Sequence, residues 1–81
     1  MTQPRYRVSL KMGGSDAFIL TTDTLKRALE VAQIQLETHS KKEDRTGSLR
    51  GDGEVYMWAN GERTGLVRVE EYVHGVYRRI G

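Results

Sequence analysis

The dipeptide Asn60-Gly61 leaves this chain less conformational freedom than any other feature. Both central residues of the tightest hairpin turn need positive φ, which Asn tolerates and Gly adopts without steric cost. On either side lie runs rich in β-branched and aromatic residues, from Glu54 to Ala59 and from Thr64 to Val69. An antiparallel ribbon is therefore required. A two-residue turn sets Trp58 opposite Arg63 and Tyr56 opposite Gly65. That register places Tyr56, Trp58, Arg63 and Val67 on one side, with Val55, Met57 and Leu66 on the other.

A second ribbon is predicted near the start. From Tyr6 to Met12, large apolar residues (Tyr6, Val8, Leu10, Met12) alternate with Arg7, Ser9 and Lys11. Period two with a charged reverse face is a half-buried strand. Gly13-Gly14-Ser15-Asp16 supplies a turn, and residues from Ala17 to Thr21 return. A three-residue loop would set Leu10 opposite Phe18 and Val8 opposite Leu20. If the first strand is an edge, Arg5, Arg7 and Lys11 guard it against stray pairing.

Thr22 or Asp23 can cap the helix that follows, expected from about Asp23 to His39. Leu25, Ala28, Leu29, Ala32 and Leu36 form its apolar stripe, and Val31 and Ile34 lie off it. Residues 69 to 80 fit a helix stripe through Val69, Tyr72, Val73, Val76, Tyr77 and Ile80. A turn at His74-Gly75 instead pairs Val73 with Val76, Tyr72 with Tyr77, Glu71 with Arg78 and Glu70 with Arg79, and such cross-strand pairs are favourable. Mid-helix Gly75 would also cost about 1 kcal/mol, so the hairpin is preferred. The expected fold class is α+β: a single small domain over residues 1–81, a ββαβββ antiparallel sheet with one helix packed on one face. Residues 40–53, polar but for Leu49, read as a mobile loop.

A chain of 81 residues buries about 63% of its unfolded surface, enough for one core. With no cysteine, disulfides, thiolate metal sites and a cysteine nucleophile are excluded. Arg5, Arg7 and Lys11 interrupt any apolar leader, and no run approaches the length of a bilayer span, so an intracellular, cytoplasmic protein without membrane partners is expected. Thirteen basic residues against eleven acidic give a net charge of +2, less than a dedicated nucleic-acid binder usually carries.

Candidate catalytic groups are few. His39 and His74 are the only side chains that titrate near neutrality without a large shift. His39 and Glu43 have helical i, i+4 spacing, but no third metal ligand stands out. No serine occupies a nucleophile elbow. Gly13-Gly14-Ser15 and Gly51-Asp52-Gly53 lack the Lys-Ser/Thr of a phosphate loop. Arg50-Gly51-Asp52 spells an integrin-binding tripeptide, but without a secretory signal it reads as coincidence. No catalytic residue, cofactor or metal is expected.

What remains is surface. Trp, Tyr and Arg dominate binding hot spots, and Tyr56, Trp58, Arg63, Tyr72, Tyr77, Arg78 and Arg79 gather on the predicted hairpins. The loop adds Lys41, Lys42, Arg45 and Arg50. Val31 and Ile34 are candidates for a dimer face on the helix.

From Tyr6-Arg7-Val8 through Asn60-Gly61-Glu62 to Tyr77-Arg78-Arg79, the layout resembles small proteins of phages and mobile elements, among them anti-CRISPR inhibitors. That resemblance implies a compact domain that blocks a host nuclease complex by binding it. The expected function is a non-enzymatic interaction protein that binds, and thereby inhibits, a host protein or nucleoprotein complex. The alternative is a nucleic-acid-binding module in which Arg and Lys contact phosphates and an aromatic ring stacks on a base.

Overall fold

The computed structural model describes residues 4–12, 15–39, 45–46 and 53–80. Its elements are β1 (Tyr6–Met12), β2 (Ser15–Thr22), α1 (Leu25–His39), β3 (Arg45–Thr46), β4 (Glu54–Ala59), β5 (Glu62–Val73) and β6 (Val76–Arg79). This is the expected α+β layout of one helix and an antiparallel sheet. The strand order is β2-β1-β5-β4-β3, with β6 also on β5. Short β3 corrects part of the expected loop: Arg45 and Thr46 pair with Met57 and Tyr56. Residues 40–44 and 47–52, with Lys41, Lys42 and Arg50, lie outside the described residues, as do 13–14.

The twelve-residue β5 is the axis of the sheet. β1 pairs along one side of it, from Gly65 to Glu71. The other side is shared, β4 taking Glu62 to Arg68 and β6 taking Glu70 to Val73. Both run antiparallel to β5, so β6 and β4 follow one another as a single interrupted strand. Their junction lies at Val69, whose N–H donates to the Gly53 carbonyl at 2.7 Å and whose carbonyl accepts from Ile80 N–H at 3.1 Å. Gly53 is required there twice over. Its φ is 67°, and a Cβ would collide with the carbonyl oxygen and Cγ1 of Ile80. Both β5 hairpins turn on positive-φ pairs, Asn60 (54°) with Gly61 (79°) and His74 (49°) with Gly75 (87°). Residues 69–80 thus form the hairpin, in the predicted register.

One face of the sheet meets the helix. Tyr6, Val8 and Leu10 from β1, Val67 and Val69 from β5, and Val55 and Met57 from β4 are buried against Ala28, Val31, Ala32 and Leu36. The cap is Thr24, not Thr22 or Asp23: its Oγ1 accepts from Arg27 N–H at 3.3 Å, and its carbonyl from Ala28 N–H at 3.2 Å. The helix is also rotated from the expected stripe. Small Ala28 and Ala32 let it approach the sheet, which draws Val31 into the core at 9% exposure and leaves Leu25 39% exposed. Val31 is therefore a core residue and no part of a dimer face. Ile34 remains outside, 53% exposed.

Two register shifts depart from the simple reading. Past Met57, Trp58 pairs with Arg63 as expected, but Met57 pairs with Gly65, leaving Thr64 as a bulge. The Thr64 hydroxyl donates to the Met57 carbonyl at 3.2 Å. Tyr56 consequently faces Leu66, and Val67 takes the core position expected for Leu66. The reason is charge. An unbulged ribbon would turn Arg68 and Glu70 toward the helix, and burying such groups is expensive. On β2, Val8 faces Leu20 as expected, but Ser9 pairs with Phe18 and Leu10 with Ala17, because Ile19 is the extra residue. β1 is also not an edge, being paired on both sides, so Arg5, Arg7 and Lys11 form ion pairs instead of guarding one.

Gly53→Ala is expected to combine left-handed strain with the Ile80 collision and cost about 3–5 kcal/mol. Gly61→Ala, where a Cβ meets nothing within 4 Å, should cost only about 1–2 kcal/mol. Equilibrium urea unfolding measures both, and equal losses would show that the β6–β4 junction is not closed as described.

Candidate binding face of the sheet

The face turned away from the helix is built from the residues that alternate with the core. Across β1, β5 and its outer neighbours the rows are Arg7, Glu70 and Arg79, then Ser9, Arg68 and Glu54, then Lys11, Leu66 and Tyr56. Opposite charges sit side by side within them. Arg7 donates through Nε and Nη2 to Glu70 Oε1 at 3.0 and 2.9 Å. Arg68 donates to Glu54 Oε2 at 2.7 Å, and Arg79 reaches Glu54 Oε1 at 3.6 Å. Lys11 lies 3.7 Å from Asp16, while Arg5 bonds Glu71 at 3.0 Å in the row of Tyr6, off this face.

Glu54 is the most enclosed charge of this set, its side chain only 4% exposed. Burial pushes its carboxyl up, but hydrogen bonds from Tyr56 and Arg68 and the charges of Arg68 and Arg79 outweigh that and hold it below the ordinary glutamate value. The same hydrogen bond and carboxylate charge raise the Tyr56 hydroxyl. Glu54 begins β4 where β6 ends, so this carboxylate clasps the two halves of the interrupted strand.

The aromatic residues do not form the one cluster that the sequence suggested. They occupy two stations. At one end Arg63 lies over the Tyr56 ring at 4.8 Å, with Trp58 alongside, 38% exposed. At the other end Tyr72 and Tyr77 meet edge to face at 5.2 Å, and Arg7 lies over Tyr77 at 4.2 Å. The Tyr77 hydroxyl donates to the Pro4 carbonyl at 2.8 Å, which fixes the ring. Eight residues of β5 lie between Arg63 and Tyr72, nine steps or about 30 Å of extended chain. Arg78 does not belong to this face: it pairs with Glu71, in the row of Tyr6, because neighbouring strand residues alternate. Arg45 likewise pairs with Met57, in the row that meets the helix. Arg79, opposite Glu70, does lie on the helix-free face.

Midway between the stations lies a shallow depression of about 280 Å³, lined by Arg7, Ser9, Asp16, Ala17, Arg68 and Glu70. Ser9, short between Arg7 and Lys11 on its own strand, creates the dip. Of these, the sequence singled out only Arg7, as an edge guard and a phosphate contact of the alternative nucleic-acid module; Ser9, Asp16, Ala17, Arg68 and Glu70 were missed as site residues. The signal was present in the polar alternation of Arg68 and Glu70, but it becomes readable only once the Thr64 bulge is known. His39 and His74 are both exposed, and neither lines the depression. Among the described residues no group of three or more His, Cys, Asp or Glu could hold a metal, and no helix is long and apolar enough to cross a membrane.

Glu54→Gln should lower stability at neutral pH by about 1–3 kcal/mol, less than for a fully buried pair because Arg68 and Arg79 are half open to water. A depressed carboxyl contributes stability that is present above its unfolded value, about 4.3, and lost as pH falls through the folded value. The wild-type chain should therefore lose more stability on acidification below about pH 4.3 than the variant does. Parallel pH profiles in chemical denaturation would contradict the assignment. No known protein family, curated protein or solved structure matches this chain.

Proposed function

We propose that this chain is a non-enzymatic interaction protein that binds a protein, alone or within a nucleoprotein complex, through the helix-free face of its sheet, and that it inhibits its partner by occupying a surface the partner needs. The observation that carries this reading is the pairing of that face. Arg7, Arg68, Arg79 and Lys11 each have a carboxylate within 4 Å, while Trp58 and Tyr72 stay more than a third exposed. A phosphate-binding surface gains affinity from cations that can release counterions, and carboxylates set among them oppose that gain. Exposed aromatic anchors beside paired guanidinium groups are instead the composition of protein hot spots. The resemblance of the sequence layout to small mobile-element inhibitors points to a host complex as the partner.

Trp58→Ala and Tyr72→Ala should leave the fold nearly intact, because neither ring belongs to the core. Each should lower partner affinity by about 2 kcal/mol. Capture from host lysate, with and without nuclease treatment, tests this directly. A captured protein that survives nuclease and is lost with Trp58→Ala supports the reading. Retention that disappears with nuclease and falls steeply with salt would favour the nucleic-acid module instead.

A further inference from the structure

Among the described residues three guanidinium groups lie over tyrosine rings, and two of them complete the same arrangement. Arg5, 5.6 Å from the Tyr6 ring, donates Nε to Glu71 at 3.0 Å. Arg7, 4.2 Å from the Tyr77 ring, donates Nε and Nη2 to Glu70 at 3.0 and 2.9 Å. In each case ring, guanidinium and carboxylate form a triad. Arg63 lies 4.8 Å from the Tyr56 ring in the same way, but no described carboxylate comes within 4 Å of it and it makes no hydrogen bond to a described residue. The strip between the two stations is balanced, with Lys11, Arg68 and Arg79 against Asp16, Glu54 and Glu70. It calls for no net charge in a partner. Arg63 is the one described cation of this face that does.

Resting on the protein-binding reading above, we infer that the partner supplies the third member of this triad. It places a single Asp or Glu carboxylate on Arg63 and an apolar side chain beside it on Trp58, and it carries no acidic excess over the rest of the face. The contact with Tyr56 engages the guanidinium but leaves its N–H donors unspent. A planar fork already held by a ring also loses less freedom per hydrogen bond formed than a lysine would. Trp58 is the cross-strand partner of Arg63 and is 38% exposed, so apolar surface lies directly beside the charge. An apolar group seated there excludes water and strengthens the ion pair. A phosphate would also suit a lone guanidinium. A nucleic-acid strand, however, brings successive phosphates, and those beyond Arg63 would meet Glu54, Glu70 and Asp16 as well as their paired cations.

Selection of displayed random peptides, run in parallel on the immobilised full chain and on its Arg63→Gln variant, tests the inference. The expected result is one Asp or Glu next to an apolar or aromatic position, enriched on the wild type and not on the variant. Fluorescence anisotropy then compares an enriched peptide with its twin bearing the corresponding amide. Arg63→Gln and loss of the peptide carboxylate should each weaken binding roughly tenfold, and together no more than either alone. Arg63→Lys, which keeps the charge but not the fork, should bind more weakly than the wild type. Lys26→Gln, on the exposed helix surface, removes the same charge and should leave binding unchanged. Circular dichroism shows whether each variant is folded. Additive losses would mean that the carboxylate does not sit on Arg63, and an equal loss with Lys26→Gln would reduce the effect to net charge; either overturns the inference. Neutral peptides that still depend on Trp58 would overturn the carboxylate and leave the protein-binding reading standing. Failure to enrich any peptide overturns the inference, and tight binding of labelled oligo-dT in that case overturns the protein-binding reading with it.

Discussion

The sheet depends on the backbone of Val69. This residue is completely buried and paired with Val8 on one side. On its other side it donates to Gly53 and accepts from Ile80, so three separate segments of chain meet at one residue. Buried backbone groups must be satisfied, and here the partners come from the start of one strand and the end of another. Three features beside that junction follow from it. β4 and β6 must run in line, Gly53 must lack a side chain, and Glu54 is left facing the arginines of both β5 and β6.

The charged strip is stabilised unequally along its length. Ion pairs that stand in water, such as Lys11 with Asp16, contribute little, since exposed pairs typically give ~0–1 kcal/mol. Glu54 differs because it is enclosed and held by two arginines and a tyrosine hydroxyl. That single carboxylate carries most of the structural weight of the face. Lys11, by contrast, is half exposed and 3.7 Å from its carboxylate partner, so the face is held tightly at Glu54 and loosely at its far corner.

Most of the fold was legible in the sequence because its turns are chemically explicit. Asn60-Gly61 and His74-Gly75 announce positive φ, and the opposite charges of Glu70, Glu71, Arg78 and Arg79 fix the last register. The bulges were not legible. No local signal marks Thr64 or Ile19 as the extra residue; the need to keep Arg68 and Glu70 off the helix does so, and that is a property of the assembled layers. The rotation of the helix was hidden for a similar reason. Leu25 and Val31 are equally apolar, and the choice between them is made by the close approach of Ala28 and Ala32. The candidate face was readable in its aromatic residues but not in its division into two stations, since that depends on how far β5 runs unbroken.

The pairing of β1 with β5 has a consequence for the order of folding. Contacts such as Tyr77 to Pro4, Arg5 to Glu71 and Arg7 to Glu70 join residues separated by 73, 66 and 63 positions. A nascent chain can form the β1–β2 hairpin and pack the helix on it early, yet the second edge of β1 stays unpaired until β5 has left the ribosome. Closing such distant pairs is slow, and unpaired strands are prone to aggregate while they wait. The alternating Arg7, Ser9 and Lys11 then keep the waiting hairpin soluble before they take up positions on the finished face.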